Sequence, residues 1–265
     1  MQIHDFRCFG AHAGGGNPAS VIEGERSDPE ARQAFAHTRK TTCVWIDPSG
    51  ATGVAASIDY YYPHARSPLC LHATLAVGQR LFTQHGAASQ LTVMTALHGQ
   101  RLGLVRGLDG EIYVSLERQP VSQAAPTPAA IAALLAAPGL ALLAPARVAS
   151  VGSPKLLVEV ADAATLHGLA PDLTAIAAWS KTAGVSGIYA YCQGDDGSYQ
   201  GRNFNHLDPA LEDSATGVAA GALTALLGHG ITLRQGRATG RDCLLKTKID
   251  GDRILVGVRV EPATQ

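Results

Sequence analysis

The chain has 265 residues, of which 46% are hydrophobic and only 16% are charged, and its formal net charge is −1. This length allows one large domain or two small domains with a substantial core. The balanced charge argues against a nucleic-acid-binding surface, and the apolar stretch 129–146 is too interrupted by Pro138 and Gly139 to span a membrane. The first residues show no basic region followed by an apolar core, so we expect a cytoplasmic location.

The cysteines predict neither a disulfide framework nor a zinc site. Their number is odd, they are widely scattered, and the sequence has no Cys-x-x-Cys motif. This pattern favours reduced and mostly buried thiols. The ten histidines form no pair or carboxylate cluster at metal-ligand spacing, so we expect no metal. The cysteines are Cys8, Cys43, Cys70, Cys192 and Cys243.

The first elements predicted along the chain are strands and one helix. Alternating apolar and polar residues predict a strand at 3–9. The glycine run 14–16 is followed by Asn-Pro and an apolar stretch, which indicates a turn into a strand at 19–22 and not a phosphate-binding loop. Residues 28–40 have helical character, because Pro29 suits the first turn after Asp28. Short strands follow at 43–46 and 54–61.

Residues 68–78 read Pro-Leu-Cys-Leu-His-Ala-Thr-Leu-Ala-Val-Gly and predict an irregular segment that enters a helix at about 73–83. His72 then lies at or near the first helical turn, where a protonated imidazole is disfavoured. A neutral imidazole there can accept a proton or donate one hydrogen bond. Further strands are predicted at 91–94, 101–106 and 112–116.

The second half of the chain repeats the order of the first. After a linker at 119–127 and a helix at 129–135, Gly152-Ser153-Pro154 leads into a strand at 155–160, much as Gly16-Asn17-Pro18 leads into 19–22. A helix at 172–181 precedes a strand at 186–192, and residues 202–206 lead to Asp213 as 59–64 lead to His72. Strands at 242–248 and 253–260 close the chain. An internal repeat predicts duplicated structural units.

The segment 212–217 reads Glu-Asp-Ser-Ala-Thr-Gly and precedes a helix of small residues at 218–227. Asp213 is predicted as the N-cap of this helix, because its carboxylate can accept the unpaired amides of the first turn. An acid at this position can alternatively act as a proton donor or base beside a bound anion.

These patterns predict an α+β fold with two pseudo-symmetric domains, 1–118 and 128–260, each with strands around one central helix. They leave open whether the C-terminal strand returns to the first domain. If the halves face each other, both helix N-termini converge on one cleft, where His72 and Asp213 would surround a small carboxylate.

The order of three motifs resembles the PhzF family. The motifs are Gly-Asn-Pro-Ala-Ser-Val-Ile at 16–22, Cys-x-His-Ala-Thr-Leu-Ala at 70–76 and Glu-Asp-x-x-Thr-Gly at 212–217. Members are phenazine-biosynthesis isomerases, related in fold to diaminopimelate epimerase and proline racemase. The resemblance spans about residues 3–260 and implies two domains, each a β-barrel-like sheet around a central helix. It also implies a cleft active site without cofactor or metal, frequent homodimers and a role in antibiotic or other secondary metabolism.

The resemblance also assigns roles to residues. Asp213 and His72 match the family's acidic residue and histidine at the two helix starts. Thr216 and Gly217 match the turn whose amides hold a substrate carboxylate, and Asn17 is expected near the site. Further substrate-binding positions around these motifs are Leu71, Ala73, Ser214 and Val218.

Three departures from the family pattern bear on the mechanism. The family's proton-moving glutamate has no carboxylate counterpart at 39–42 (Arg-Lys-Thr-Thr). Leu71 stands where the family has a glycine before the histidine, and Val218 replaces the serine after Thr-Gly. The possible substitutes for the glutamate are Lys40, Thr41, Thr42 and Glu212.

Three functions remain open at this point. The first is an isomerase or tautomerase that acts on a small unsaturated or cyclic amino or hydroxy acid, with Asp213 and His72 as acid and base. The second is a racemase or epimerase that uses Cys70 and Asp213, although Cys70 also suits a buried apolar thiol. The third is a small-acid-binding protein without catalytic activity.

Overall fold

The structure is a computed structural model that describes residues 1–108, 110–122, 126–204 and 212–263. It contains two compact units. Unit 1 consists of Met1–Leu116 and Gly257–Gln265, and unit 2 consists of Glu117–Val256. Residues 123–125 of the predicted linker and 205–206 of the predicted approach to Asp213 lie outside the described residues.

The described part of unit 1 contains two helices, α1 (Pro29–Arg39) and α2 (Leu71–Gln84). Asp28 caps α1 by accepting a hydrogen bond of 2.8 Å from the Ala31 amide, as its position before Pro29 predicts. The strands of the unit are β1 (Gln2–Cys8), β2 (Asn17–Glu23), β3 (Thr42–Asp47), β4 (Ala56–Tyr61), β5 (Arg66–Ser67), β6 (Gln90–Thr95), β7 (Arg101–Arg106), β8 (Ile112–Glu117) and β16 (Val260–Pro262).

Unit 2 contains the helices α3 (Pro128–Leu134), α4 (Ala163–Gly168), α5 (Leu173–Ala183) and α6 (Gly217–Leu227). Asp172 caps α5 through the Ala175 amide, at the start of the predicted helix 172–181. The strands of the unit are β9 (Arg147–Ala149), β10 (Lys155–Glu159), β11 (Ile188–Gln193), β12 (Tyr199–Phe204), β13 (Thr232–Gln235), β14 (Cys243–Asp250) and β15 (Arg253–Val258).

The two units share one strand topology. The order is β16-β1-β2-β3-β4-β6-β7-β8 in unit 1 and β9-β10-β11-β12-β13-β14-β15 in unit 2. From β1 and from β9 onward, the successive pairs run antiparallel, parallel, antiparallel, parallel and antiparallel. The internal repeat and the two-domain α+β class predicted from the sequence are therefore confirmed.

Helices α2 and α6 occupy equivalent places in the repeat, because each makes the crossover between two parallel strands. Their small residues allow close packing against the strands. A Cβ atom at Gly221 of α6 would lie 2.6 Å from Val151 Cγ2, and one at Gly78 of α2 would lie 2.9 Å from Ile112 Cγ2. The Ala- and Gly-rich sequence is thus a packing requirement of these helices.

The glycine run at 14–16 leads into β2 and opens no helix, which confirms the predicted turn. Gly16 has a φ of +81°, and a Cβ atom at this residue would overlap the carbonyl of Cys8. Only glycine fits this close approach between the turn and β1.

Alternate residues of the strands β10–β12 face two different layers. Leu156, Ile188 and Phe204 belong to an apolar core that includes Ile176 of α5. Their neighbours in sequence point to the opposite face of the sheet, and α6 packs against β9, β10 and β14. Polar residues on that second face are therefore close to α6.

All five cysteines are buried thiols outside any disulfide, as their scattered spacing predicts. No helix among the described residues combines the length and the apolar character needed to cross a membrane.

Candidate active site

At the start of α2, a thiol and an imidazole are in contact. Cys70 is the N-cap residue of the helix and His72 is its second residue. The Cys70 Sγ atom lies 3.3 Å from His72 Nδ1 and 3.7 Å from Nε2. Cys70 is buried and His72 is half-buried, so the pair combines a shielded thiol with an imidazole that solvent can reach.

Asn17 is connected to this pair through its strand partner Cys8. Asn17 is buried and opposes Cys8 in the β1–β2 ladder. Burial raises the pKa of the Cys8 thiol well above its usual value, and the Cys70 thiol adds to this effect. The two thiols are therefore close enough to interact electrostatically, and Asn17 is the strand partner of Cys8.

The residues on either side of His72 belong to the core. Leu71 and Ala73 are both buried. Thr74 anchors the first turn, because its hydroxyl donates to the Cys70 carbonyl at 2.8 Å and lies 2.6 Å from the Tyr60 hydroxyl. The side chains of Leu71 and Ala73 thus pack the start of the helix.

The candidate substitutes for the family glutamate have different environments. Lys40 is exposed and ends α1 in a left-handed conformation with a φ of 54°. Thr42 is buried at the start of β3. The Thr41 hydroxyl is buried and has no hydrogen-bond partner within the described part of the chain. Glu212 is bound by Arg202 in an ion pair of 2.8 Å.

Asp213 is not the N-cap of α6, and the prediction was wrong on this point. Helix α6 begins at Gly217, and its N-cap residue is Thr216. Asp213 instead accepts hydrogen bonds from the Thr216 hydroxyl at 2.5 Å and from the Ala215 amide at 3.3 Å. Because an Asp side chain reaches the amide two residues ahead, Asp213 closes a local turn before the helix. It also holds the hydroxyl of the N-cap residue Thr216 from a position before the helix.

This result also corrects the matching of the two halves. The N-cap residues of the two central helices are Cys70 and Thr216. His72 lies inside the first turn of α2, whereas Asp213 lies before α6. Cys70 and Thr216 are therefore the equivalent positions, and His72 and Asp213 are not.

Gln235 of β13 locks the start of α6. Its Nε2 atom donates to the Asp213 carbonyl at 2.7 Å and to Thr216 Oγ1 at 3.1 Å. Its Oε1 atom accepts from the Thr216 amide at 3.3 Å and from the Tyr189 hydroxyl at 3.0 Å. Burial, reinforced by the charges of Asp213 and Glu212, raises the pKa of Tyr189 well above its ordinary value. Tyr189 is thus a neutral donor in this network.

The other predicted residues of this segment line the same turn. Ser214 is half-buried, and its Oγ atom accepts a hydrogen bond of 2.8 Å from Thr239. Gly217 is buried as the first residue of α6, and Val218 is half-buried as the second. Their assignment to substrate binding stays a prediction.

The sequence interpretation missed several polar residues around Asp213. Lys155 is buried in β10 and its Nζ atom donates to the Ser186 carbonyl. Asn203 is fully buried, and neither its Oδ1 nor its Nδ2 atom has a hydrogen-bond partner among the described residues. A lysine in an otherwise apolar strand, directly after the repeated Gly-x-Pro motif, was the available signal for Lys155. No local signal marks Asn203 or Gln235.

Comparison with known proteins identifies the family. The family described as phenazine biosynthesis-like protein, PhzC-PhzF, matches residues 6–261. The chain belongs to this family. No group of three or more His, Cys, Asp or Glu residues in the described part of this family member is arranged to hold a metal ion.

Relatives of this PhzC-PhzF protein are named as isomerases. An uncharacterized isomerase of Deinococcus radiodurans is 31% identical over 245 residues, which cover 88% of the chain and 79% of the relative. The uncharacterized isomerase YddE of Escherichia coli K12 is 26% identical over 275 residues, which cover 94% of the chain and 90% of the relative. The chain is accordingly an isomerase-like protein.

The fold of this PhzC-PhzF protein also matches a solved structure of the family. A phenazine biosynthesis protein of the PhzF family from Bacillus anthracis superposes with a TM-score of 0.81 at 17% identity, covering 100% of this chain and 98% of the other. At this identity, the match concerns the fold.

Proposed function

We propose that this protein is a cofactor-independent isomerase that moves a proton on a small unsaturated or cyclic amino or hydroxy acid. Asp213 is the general base or acid, and His72 assists with a second proton. The observation that carries the proposal is the fixed geometry of Asp213, whose carboxylate is held by the Thr216 hydroxyl at 2.5 Å and the Ala215 amide at 3.3 Å. A base that is held in place before substrate arrives loses little entropy in the reaction.

The surroundings of Asp213 support this role. The residue is half-buried, so its carboxylate is partly shielded but can still be reached from solvent. Its backbone is held on both sides, because Gln235 donates to the Asp213 carbonyl and the Asp213 amide donates to the Asn203 carbonyl at 3.4 Å. The nearby N-terminus of α6 adds a positive potential that favours an acid substrate and any enolate-like charge.

The missing glutamate implies an altered proton relay. The family position carries Thr41 or a neighbouring residue, and a threonine hydroxyl is too weak an acid to replace a carboxylic acid. We therefore assign both proton transfers to Asp213 and His72. Each positioned acid or base contributes on the order of 10²–10⁴-fold to the rate.

A second candidate is an amino-acid racemase or epimerase in which Cys70 is one of two bases. The contact of 3.3 Å between Cys70 Sγ and His72 Nδ1 favours it, because an adjacent imidazole can accept the thiol proton and produce the reactive thiolate. In this mechanism Asp213 serves the opposite proton transfer.

The family resemblance supports a wider setting for this activity. We propose a cytoplasmic homodimer that acts in secondary metabolism. Size-exclusion chromatography with light scattering measures the mass of the purified protein, and a monomer at micromolar concentration would contradict the dimer.

Product mapping in D₂O tests the proposed reaction. The protein is incubated with unsaturated cyclic amino and hydroxy acids, and the deuterium is located by NMR. Deuterium at a carbon to which a double bond has migrated supports the isomerase. Deuterium at the α-carbon with loss of optical rotation supports the racemase. An acid that binds tightly but exchanges no proton would indicate a binding protein without catalytic activity and refute both.

A further inference from the structure

Lys155 is an unusual residue for the interior of a protein. It begins β10, and its side chain is 1% exposed. Lysines are almost never fully buried unless they are paired, because the ammonium loses its hydration. The Nζ atom carries three donors, and within the described residues its hydrogen bond goes to the neutral carbonyl of Ser186. The buried charge therefore needs another source of compensation.

The register of the sheet places Lys155 on the face that carries the Asp213 network. Leu157 opposes Tyr189, and Tyr189 opposes Asn203. Residues that oppose each other share a face, and so do residues two apart on one strand. Lys155 therefore points to the side where the Tyr189 hydroxyl meets Gln235 and where Asn203 bridges to Asp213.

Arg202 opposes Ala190 and so lies on the other face of the sheet, where it pairs with Glu212 through hydrogen bonds of 3.1 and 2.8 Å. On the face of Lys155, β10 also carries Glu159, which accepts a hydrogen bond from the Tyr191 hydroxyl. Asp213 is the carboxylate whose charge acts on Lys155. Tyr189 is held neutral, α6 contains no ionisable side chain, and Ala149 of β9 opposes Lys155. Within the described part of this face, Asp213 therefore supplies the charge that compensates the Lys155 ammonium.

We propose that Lys155 is a positioning residue for Asp213. The buried Lys155 ammonium keeps the Asp213 side chain ionised and offsets the negative charge that an acid substrate would meet. The inference rests on the proposed role of Asp213 as a base. An isolated carboxylate would repel a carboxylic acid substrate, whereas a carboxylate with a buried ammonium beside it presents no net charge. With Lys155 beside Asp213, the site can therefore contain a base and still bind an anionic substrate.

The test replaces Lys155 by methionine, which has a similar length and no charge. The exposed Lys181 in the last turn of α5 provides the control, because K181M removes the same charge from the surface of the same unit. The rate of deuterium exchange is measured from pH 4 to pH 8. K155M is expected to move the acid limb of the profile upward by about one to two pH units, and K181M is expected to leave it in place.

A second readout needs no activity. In protein labelled with ¹³C at the aspartate side-chain carboxyls, the resonance that disappears in D213N is followed by NMR during a pH titration. It should titrate at higher pH in K155M than in wild type. If it titrates in K155M as in wild type, the inference is wrong, even where the enzyme is active. If the Asp213 resonance titrates at higher pH in K155M but no tested acid exchanges deuterium, the proposed function fails and the coupling between the two residues stands.

The reciprocal measurement covers the case in which K155M does not fold. Coupling between two sites is mutual, and the Asp213 charge favours the protonated form of Lys155. The Lys155 side chain should therefore lose its proton at lower pH in D213N than in wild type, as followed by ¹³C NMR of the lysine ε-carbons. An unchanged Lys155 titration in D213N would overturn the inference.

Discussion

Lys155→Met is expected to change how the stability of the protein depends on pH. Burial lowers the pKa of Lys155 from its ordinary 10.5 to about 8, although the Asp213 charge opposes this shift. Between these two pH values, the unfolded chain binds a proton at Lys155 that the folded chain does not. The free energy of unfolding therefore rises with pH in this window, and the contribution is lost as the pH falls through 8.

The size of the effect follows from the two pKa values. A change from 10.5 to about 8 corresponds to about 3 kcal/mol. Most of this amount, about 2.5 kcal/mol, develops between pH 7 and pH 10. Methionine at this position does not titrate, so the wild type should gain this amount relative to K155M over that range.

The assay is urea unfolding of both proteins at several pH values from 7 to 10. Comparing the two proteins is necessary, because burial also raises the pKa of other groups, such as Cys43 to about 12. Such groups lower the stability of the folded state at alkaline pH, but they do so equally in both proteins. A difference between wild type and K155M that stays constant within about 0.5 kcal/mol would refute the description of Lys155 as a desolvated lysine.

Two further substitutions probe the packing around Asp213. G201A should lower the free energy of unfolding by about 1–3 kcal/mol, because its Cβ atom would overlap the Tyr189 ring. G168A is the control, since no atom lies within 4 Å of a Cβ atom at that position. Equal urea midpoints for the two variants would contradict the packing argument. N203L should leave the free energy of unfolding unchanged or raise it by up to about 1 kcal/mol, because it removes a buried side-chain amide that has no hydrogen-bond partner among the described residues. A decrease of more than about 1 kcal/mol in the same assay would show that the amide is hydrogen-bonded in solution.

Much of the fold could be predicted from local sequence patterns. Alternating residues identified the strands, and Asp28 followed by Pro29 marked a helix start, because this signal depends on residues only a few positions apart. The repeated Gly-x-Pro and helix–strand order predicted the duplicated topology. These features are encoded within short stretches, so one sequence is enough to find them.

The site was harder to predict, because its geometry depends on contacts between distant strands. Asp213 and Thr216 are both good N-cap residues, and only the structure shows that the helix starts after Thr216. Gln235 reaches Asp213 from a strand 22 positions away. Lys155 follows a strand pattern in which a lysine would normally reach solvent. The register between strands, which local patterns do not give, decides that it is buried instead.

The rate of deuterium exchange in D213N tests the central claim most directly. D195N serves as the control, since it makes the same change at an exposed position of the same unit. With a substrate that the wild type isomerises, D213N should exchange at least about tenfold more slowly, while D195N should match the wild type. If D213N, folded as shown by its urea midpoint, exchanged as fast as the wild type, Asp213 would not be the proton-transfer residue.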